Sequence, residues 1–172
     1  MTSTTATPAT PTVPHRPDPA SVLRAIDKRS YLTLSTVSAA GHPHAAGVLY
    51  ERVGDTLYVN TTATSRKARN ITSSGRAAVV IPVRRMPVGA PPSGLQFQAR
   101  AEVLPVDDRH ILDLAEGGAL RSITGHGELE LPGSCFLAIR IPRRVLTYGL
   151  GMPLLELARD PLGAAGAVEL DW

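Results

Sequence analysis

The densest chemistry in this chain lies between Thr61 and Asn70, in Thr61-Thr62-Ala63-Thr64-Ser65-Arg66-Lys67-Ala68-Arg69-Asn70. Hydroxyl side chains lead into Ser65, a good helix N-cap, and Arg66, Lys67 and Arg69 cluster in the first turn behind it. The leading N–H groups of a helix have no intrahelical acceptor and the helix dipole adds positive potential, so such an end suits an anion. Arg66 can grip a phosphate through two parallel hydrogen bonds, Lys67 supplies a mobile point charge, and Thr61 and Ser65 can donate hydroxyl hydrogen bonds. The alternative reading of the same residues is a capped surface helix with solvated arginines. Elsewhere the residue types are sparser. His42 and His44 lie two apart, but Pro43 between them and the lack of a third ligand nearby favour turn and strand-start roles over metal binding. His126 between two glycines reads as a loop residue, Cys135 as a small buried hydrophobe, and Tyr148 as a core or interface aromatic. Arg84-Arg85 open a loop and read as solvated. No Ser/His/Asp arrangement points to hydrolysis.

The elements that must hold Thr61–Asn70 in place follow from periodicity. Asp18 is a candidate N-cap for a short helix that puts Val22, Leu23 and Ile26 on one face and ends near Arg29. Tyr31 to Val37 alternates apolar and hydroxyl residues, the pattern of a half-buried strand. Turn residues at Ala40-Gly41-His42-Pro43 lead to a second strand, His44 to Val53, and Gly54-Asp55 leads to a third, Thr56 to Asn60. Strands this close with tight turns make an antiparallel meander rather than a βαβ unit. The helix behind Ser65 places Ala68 and Ile71 on one face and stops at Gly75. Ala77 to Val83 is almost continuously apolar and reads as a strand buried on both faces. Arg84 to Gly94 is an irregular loop. Leu95 to Leu104 alternates, with Leu95, Phe97, Ala99, Ala101 and Val103 inward. Asp107 or Asp108 caps a helix through Leu114 and Leu120, and strands follow at Cys135–Ile141 and near Val145–Gly149. The stretch Met152 to Trp172 is helical at Leu154 to Arg159. About six or seven short antiparallel strands with a few helices make an α+β chain built on a closed or nearly closed barrel.

Composition sets the outer bounds. A chain of 172 residues, 43% hydrophobic and 19% charged, is long enough for one globular domain with a sizeable core. Residues 1–18, rich in Thr, Pro and Ala, read as a disordered tail and 19–172 as the domain. The net charge of +3, the absence of a lysine-rich run and the 4% aromatic content do not point to nucleic acid. No apolar run approaches the ~18 residues of a membrane span, and the N-terminus lacks the pattern of a signal peptide. A single cysteine agrees with a reducing, cytoplasmic setting.

The stretch Tyr31 to Ile71 resembles the pyridoxamine 5′-phosphate oxidase-like family of split β-barrel flavoproteins. The similar parts are Leu32-Thr33-Leu34-Ser35-Thr36, Gly41-His42-Pro43-His44, Val48-Leu49-Tyr50, Gly54-Asp55-Thr56-Leu57-Tyr58, and above all Asn60-Thr61 followed by Ser65-Arg66-Lys67-Ala68-Arg69-Asn70. Similarity continues through Leu95 to Glu102, so it spans Ala20 to Val103. The resemblance implies an antiparallel split β-barrel in which Ser65, Arg66 and Lys67 hold a cofactor phosphate and Thr61 supports it. It implies further that the second strand, Ala46 to Tyr50 with Val48, Leu49 and Tyr50, runs along the isoalloxazine ring. It also implies a homodimer with each cofactor between subunits, and redox chemistry on a small-molecule substrate carried by the cofactor, so no side chain is assigned as catalytic. Two departures matter. Vitamin B6 oxidases carry an arginine-rich C-terminal segment that Leu150 to Trp172 does not resemble, which argues against pyridoxamine phosphate as substrate. Lys67-Ala68-Arg69-Asn70 is also similar to the Lys-x-Arg-Asn pattern of the branch that uses the deazaflavin coenzyme F-420. FMN and F-420 therefore both stand as cofactors, with Arg69 and Asn70 joining the site in either case. Some split-barrel relatives bind heme, so the alternative is a non-catalytic cofactor- or heme-binding module.

Overall fold

The computed structural model describes residues 17–84 and 92–172. The tail expected over 1–18 lies outside these residues up to position 16, and so do residues 85–91 of the expected loop. That loop is shorter than its sequence implies, because the strands on either side run to Arg84 and from Ser93.

Helix α1 (Pro19–Asp27) starts where its cap predicts. The Asp18 carboxylate accepts the Ser21 N–H at 2.6 Å, and Pro19 occupies the first helical turn, where a missing N–H costs nothing. Its face of Val22, Ala25 and Ile26 is buried. Strands β1 (Tyr31–Val37) and β2 (Pro43–Leu49) pair antiparallel, Tyr31 opposite Leu49 and Val37 opposite Pro43. The expected second strand, His44–Val53, is not one strand: it breaks at Tyr50, and β3 (Glu51–Val53) pairs instead with β4 (Thr56–Thr62). The Tyr50 ring turns into the core, 1% exposed, and its hydroxyl donates to the Ile26 carbonyl at 2.7 Å. Arg52 reinforces this corner by donating to both carboxylate oxygens of Asp27, at 2.6 and 2.9 Å.

The break closes the fold. In the nine-stranded antiparallel sheet the order is β2-β1-β5-β6-β7-β4-β3, with β5 at Arg76–Arg84, β6 at Ser93–Pro105 and β7 at Ser134–Arg140. The two ends of that path, β2 and β3, are separated in the chain by Tyr50 alone, so the sheet must curl until its ends meet. The result is a curled, split barrel. The inward residues of each strand, Leu32, Leu34, Leu57, Val59, Val79, Ile81, Leu95, Leu137 and Ile139 among them, form the core. Helix α2 (Arg66–Ser74) packs against β1, β2 and β6 and adds Ala68 and Ile71 to that core. It ends at Gly75, whose φ of 64° is the left-handed conformation that glycine adopts without strain.

Strand β6 alternates as its sequence predicts, with Leu95, Phe97, Ala99 and Ala101 buried. Strand β5 does not match its prediction. Ala77, Val79 and Ile81 are buried, but Val80 is 44% exposed and Pro82 is exposed, so only one face is covered. An antiparallel strand tolerates this because no crossover helix is obliged to cover its second face. The helix expected from Asp108 through Leu120 is two, α3 (Arg109–Glu116) and α4 (Arg121–Thr124), interrupted at Gly117-Gly118. Both lie over the outer side of β4 and β7, where Ile111, Leu120 and Ile123 bury Tyr58, Phe136 and Ala138. Strand β8 (Arg144–Tyr148) pairs with β6, and helix α5 (Leu154–Arg159) follows as expected. Beyond it β9 (Ala165–Glu169), not anticipated, pairs with β8. No helix among the described residues is long and apolar enough to cross a membrane.

Candidate cofactor-binding site

Strand β4 delivers Asn60, Thr61 and Thr62 to the foot of α2. The Ser65 N–H donates to the Thr62 carbonyl at 3.0 Å, a tight turn that leaves Ser65 extended (φ −65°, ψ 151°) at the N-cap. Its Oγ accepts the Ala68 N–H at 3.3 Å and the Thr61 hydroxyl at 3.3 Å. With both acceptor sites engaged, the Ser65 hydroxyl proton is free to donate outward. The N–H groups of Arg66 and Lys67 begin the helix and lack intrahelical acceptors. No acidic residue stands in the first turn. Arg66 and Arg69 are exposed and Lys67 is half-buried, and none of the three forms an ion pair among the described residues. Opposite Thr61, on β7, sits Cys135, free and buried. Burial pushes its thiol pKa up, while the nearby Lys67 ammonium opposes that rise. Proximity of Cys135 to this cluster had no signal in the sequence, since it arises from β4–β7 pairing across more than seventy residues.

Thr61, Ser65, Arg66 and Lys67 thus come together. Asn70 does not join them: it is buried, and its Nδ2 donates to Thr36 Oγ1 of β1 at 3.0 Å, fastening α2 to the barrel wall. Arg69 lies one turn beyond Arg66 in solvent. On β2 the three expected residues diverge. Val48 is half-buried and faces inward, Leu49 is 55% exposed on the outer face, and Tyr50 is sealed in the core. Burial pushes the Tyr50 phenol pKa well above its usual value of 10. Beside Leu49, the Tyr31 ring lies across Gly47, where any Cβ would collide with it.

The cluster has the donor set that a phosphate requires: two N–H groups without intrahelical acceptors, a free hydroxyl proton, and cations without carboxylate partners among the described residues. Strand β2 complements it for a planar ring. As the end of the sheet path it pairs, among the described residues, with β1 only, so one row of its backbone N–H and C=O groups has no strand partner there. A phosphorylated ring cofactor therefore fits the residues present.

The sequence profile of the pyridoxamine 5′-phosphate oxidase family matches residues 19–137. The chain belongs to this family. The match extends past Val103, where the resemblance in the sequence stopped, and takes in α3, α4 and part of β7. No curated protein matches the chain. Among solved structures it is similar to HutZ, a heme storage protein from Vibrio cholerae (TM-score 0.60, 18% identity, 73% of this chain and 91% of that one). It is similar to a heme-binding protein from Mycobacterium smegmatis at TM-score 0.67 and 18% identity, covering 90% of this chain but 59% of that one. A FAD-binding protein from Mesorhizobium loti matches at TM-score 0.58 and 17% identity, over 73% of this chain and 88% of that one. At these identities the likeness is one of fold, and it agrees with the family's split barrel.

The remaining candidates take structural places. His42 is exposed at the β1–β2 turn, where its N–H donates to Ser38 Oγ, and His44 is half-buried in β2. His126 is exposed beside Glu128. Tyr148 packs on the small cluster of Met152, Leu157 and Ala164. Of the expected pair Arg84-Arg85, the second lies outside the described residues. No cluster of three or more potential metal ligands exists among the described residues.

Proposed function

We propose that this protein binds a phosphorylated flavin or deazaflavin, FMN or coenzyme F-420, and uses it in an oxidoreductase reaction on a small-molecule substrate. The observation that carries the reading is the group of cations at the start of α2, organised by the Ser65 cap and without acidic partners among the described residues. Ser65 donates its hydroxyl proton to the phosphate, and the Arg66 and Lys67 N–H groups complete the cradle under the helix dipole. The Arg66 guanidinium and the Lys67 ammonium neutralise its charge from the solvent side and the barrel side respectively. The unpaired backbone edge of β2 near Val48 and Leu49 orients the ring by hydrogen bonds to its polar rim. When bound, the ring supplies two-electron redox chemistry, and no side chain of this protein is required as acid or base.

The protein works as a homodimer in this reading, and a second copy covers the outer face of β1, β2 and β5. Tyr31, Val37, Leu49 and Val80 are all exposed there, between 41% and 55%, and Leu49 at the candidate ring site belongs to the same face. Cys135 stays a thiol in a cytoplasmic setting. A second reading, heme binding, is favoured by the two heme-associated proteins of the same fold.

Titration of FMN and F-420 into wild type and Lys67→Ala tests the proposal. Loss of a charge-assisted contact of ~1.5–3 kcal/mol weakens binding by roughly tenfold to over a hundredfold, with a smaller loss for riboflavin, which has no phosphate. Melting of the cofactor-free protein should barely move, because a solvated ammonium contributes little to stability. Equal affinities in the two proteins would overturn the phosphate site. A Soret band on adding hemin, without binding of either flavin, would install the second reading instead.

A further inference from the structure

A groove of about 910 Å³ lies away from the start of α2, at the opposite end of that helix, where Ser74 lines it. Nine helical residues span about 13 Å at ~1.5 Å per residue, so the two places are separate. Strand register gives the groove its character. Arg76 of β5 stands opposite Arg100 of β6, and Arg100 stands opposite Arg140 of β7. Residues directly opposite on neighbouring strands share a face. The guanidinium-bearing side chains therefore form one row across the sheet, and Arg143 adds a further cation to the groove lining.

Like charges directly opposite one another destabilise a sheet. The row is exposed, so water screens part of this repulsion, and relief by acidic side chains is slight. Arg140 Nε lies 3.5 Å from Asp55 Oδ2, and it is the only member of the row with an ion pair among the described residues. Arg143 donates to the Trp172 backbone carbonyl at 3.1 Å. The groove walls beside the row are apolar, from Ile141 and Pro142 on one side and, on the other, from Val37 and Ala78 at the margin of the face assigned to a second copy.

We propose that this row is a second anion site, distinct from the cofactor site, that takes a small organic anion with an apolar body and a carboxylate or phosphate group. The planar guanidinium matches either group through paired hydrogen bonds. The apolar walls select a ligand with a body to bury over a bare inorganic ion. Nucleic acid is a poor match, because Asp55 at one end and Glu102, two residues beyond Arg100 on the same face of β6, interrupt the basic track.

The test uses the full-length protein and the fluorescent anion 8-anilinonaphthalene-1-sulfonate, with the uncharged N-phenyl-1-naphthylamine beside it. In the Arg76→Gln/Arg100→Gln variant the anion should bind about tenfold more weakly or worse, by loss of charge-assisted contacts. The uncharged dye should bind both proteins equally. The variant's melting temperature should be no lower than that of wild type, because the substitution relieves repulsion. Equal affinity of the anion for both proteins would overturn the site and place the dye on the bare apolar face. An equal loss of the uncharged dye would reduce the groove to a hydrophobic surface and overturn it too. FMN affinity should be the same in both proteins, and its loss in the variant would merge this groove with the cofactor site and overturn its independence. If FMN binds neither protein, the proposed cofactor falls while the dye comparison still decides the arginine row.

Discussion

The outer side of the barrel has two contrasting faces. Over β4 and β7, helices α3 and α4 bring Ile111, Leu120 and Ile123 onto Tyr58, Phe136 and Ala138, and all of these are buried. Over β1, β2 and β5 nothing among the described residues covers Tyr31, Val37, Leu49 or Val80. The apolar content of the strands does not account for the difference. The connections do. The segment between β6 and β7, residues 106–133, is long enough to supply two helices. The connection between β1 and β2, residues 38–42, is a turn and can cover nothing. A face that the described residues leave uncovered, and that carries contiguous apolar side chains, marks an interaction surface. It is the face assigned above to a second copy.

That contrast can be broken by substitution. Phe136→Ala, beneath α3 and α4, should cost about 3–5 kcal/mol in denaturant unfolding, since Phe136 is fully buried and its loss leaves a cavity. An effect as small as that of a surface change would mean that the two helices are not docked on β7. Tyr50→Phe, at the corner between the faces, should cost about 1–3 kcal/mol, because the buried Ile26 carbonyl loses its donor.

The same variant sharpens the point through pH. The folded-state pKa of Tyr50 is raised by burial, so its contribution is fully present below pH 10. It declines above pH 10, where the unfolded phenol releases its proton first, and is lost as pH rises through the folded value. Unfolding measured from pH 9 to 11 should fall less steeply in Tyr50→Phe than in wild type. A residual slope remains from Tyr58, whose pKa burial also raises. Identical slopes would show that Tyr50 is solvated in the folded protein.

The smallest expected change in chain stability is on the bare face. Val80→Asp should alter it by about 0.5 kcal/mol or less, in keeping with an exposed position. Light scattering at micromolar concentration should nevertheless show the wild-type dimer mass fall to that of one chain in this variant. A wild-type protein that already scatters as one chain would remove the second copy from the bare face.

Much of the local structure was legible because short-range chemistry decides it. Asp18 and Ser65 cap their helices as their side chains predict, Gly75 stops α2, and the alternation from Leu95 to Ala101 maps directly onto buried and exposed positions. The cationic cluster was legible for the same reason, since Thr61, Ser65, Arg66 and Lys67 are neighbours along the chain and one turn brings them together. Asn70 does not follow that logic. Its position four residues further along α2 points it into the barrel, where Thr36 of a distant strand takes its hydrogen bond.

The sequence by itself determined the α+β class, most element positions and the cationic helix start, all set by propensity, caps and spacing within a few residues. Tertiary structure decided the rest. His44 to Val53 carries no break signal at Tyr50. The break exists because β2 must pair with β1 while β3 pairs with β4, and one straight strand cannot do both when the sheet closes on itself. The run Ala77 to Val83 is apolar on both sides, but which side is covered depends on where helices from other parts of the chain land. Arg76, Arg100 and Arg140 are unremarkable one at a time. Only the antiparallel register of β5, β6 and β7 sets them opposite one another, because hydrogen-bonded pairing joins residues by position in the sheet and not by distance along the chain.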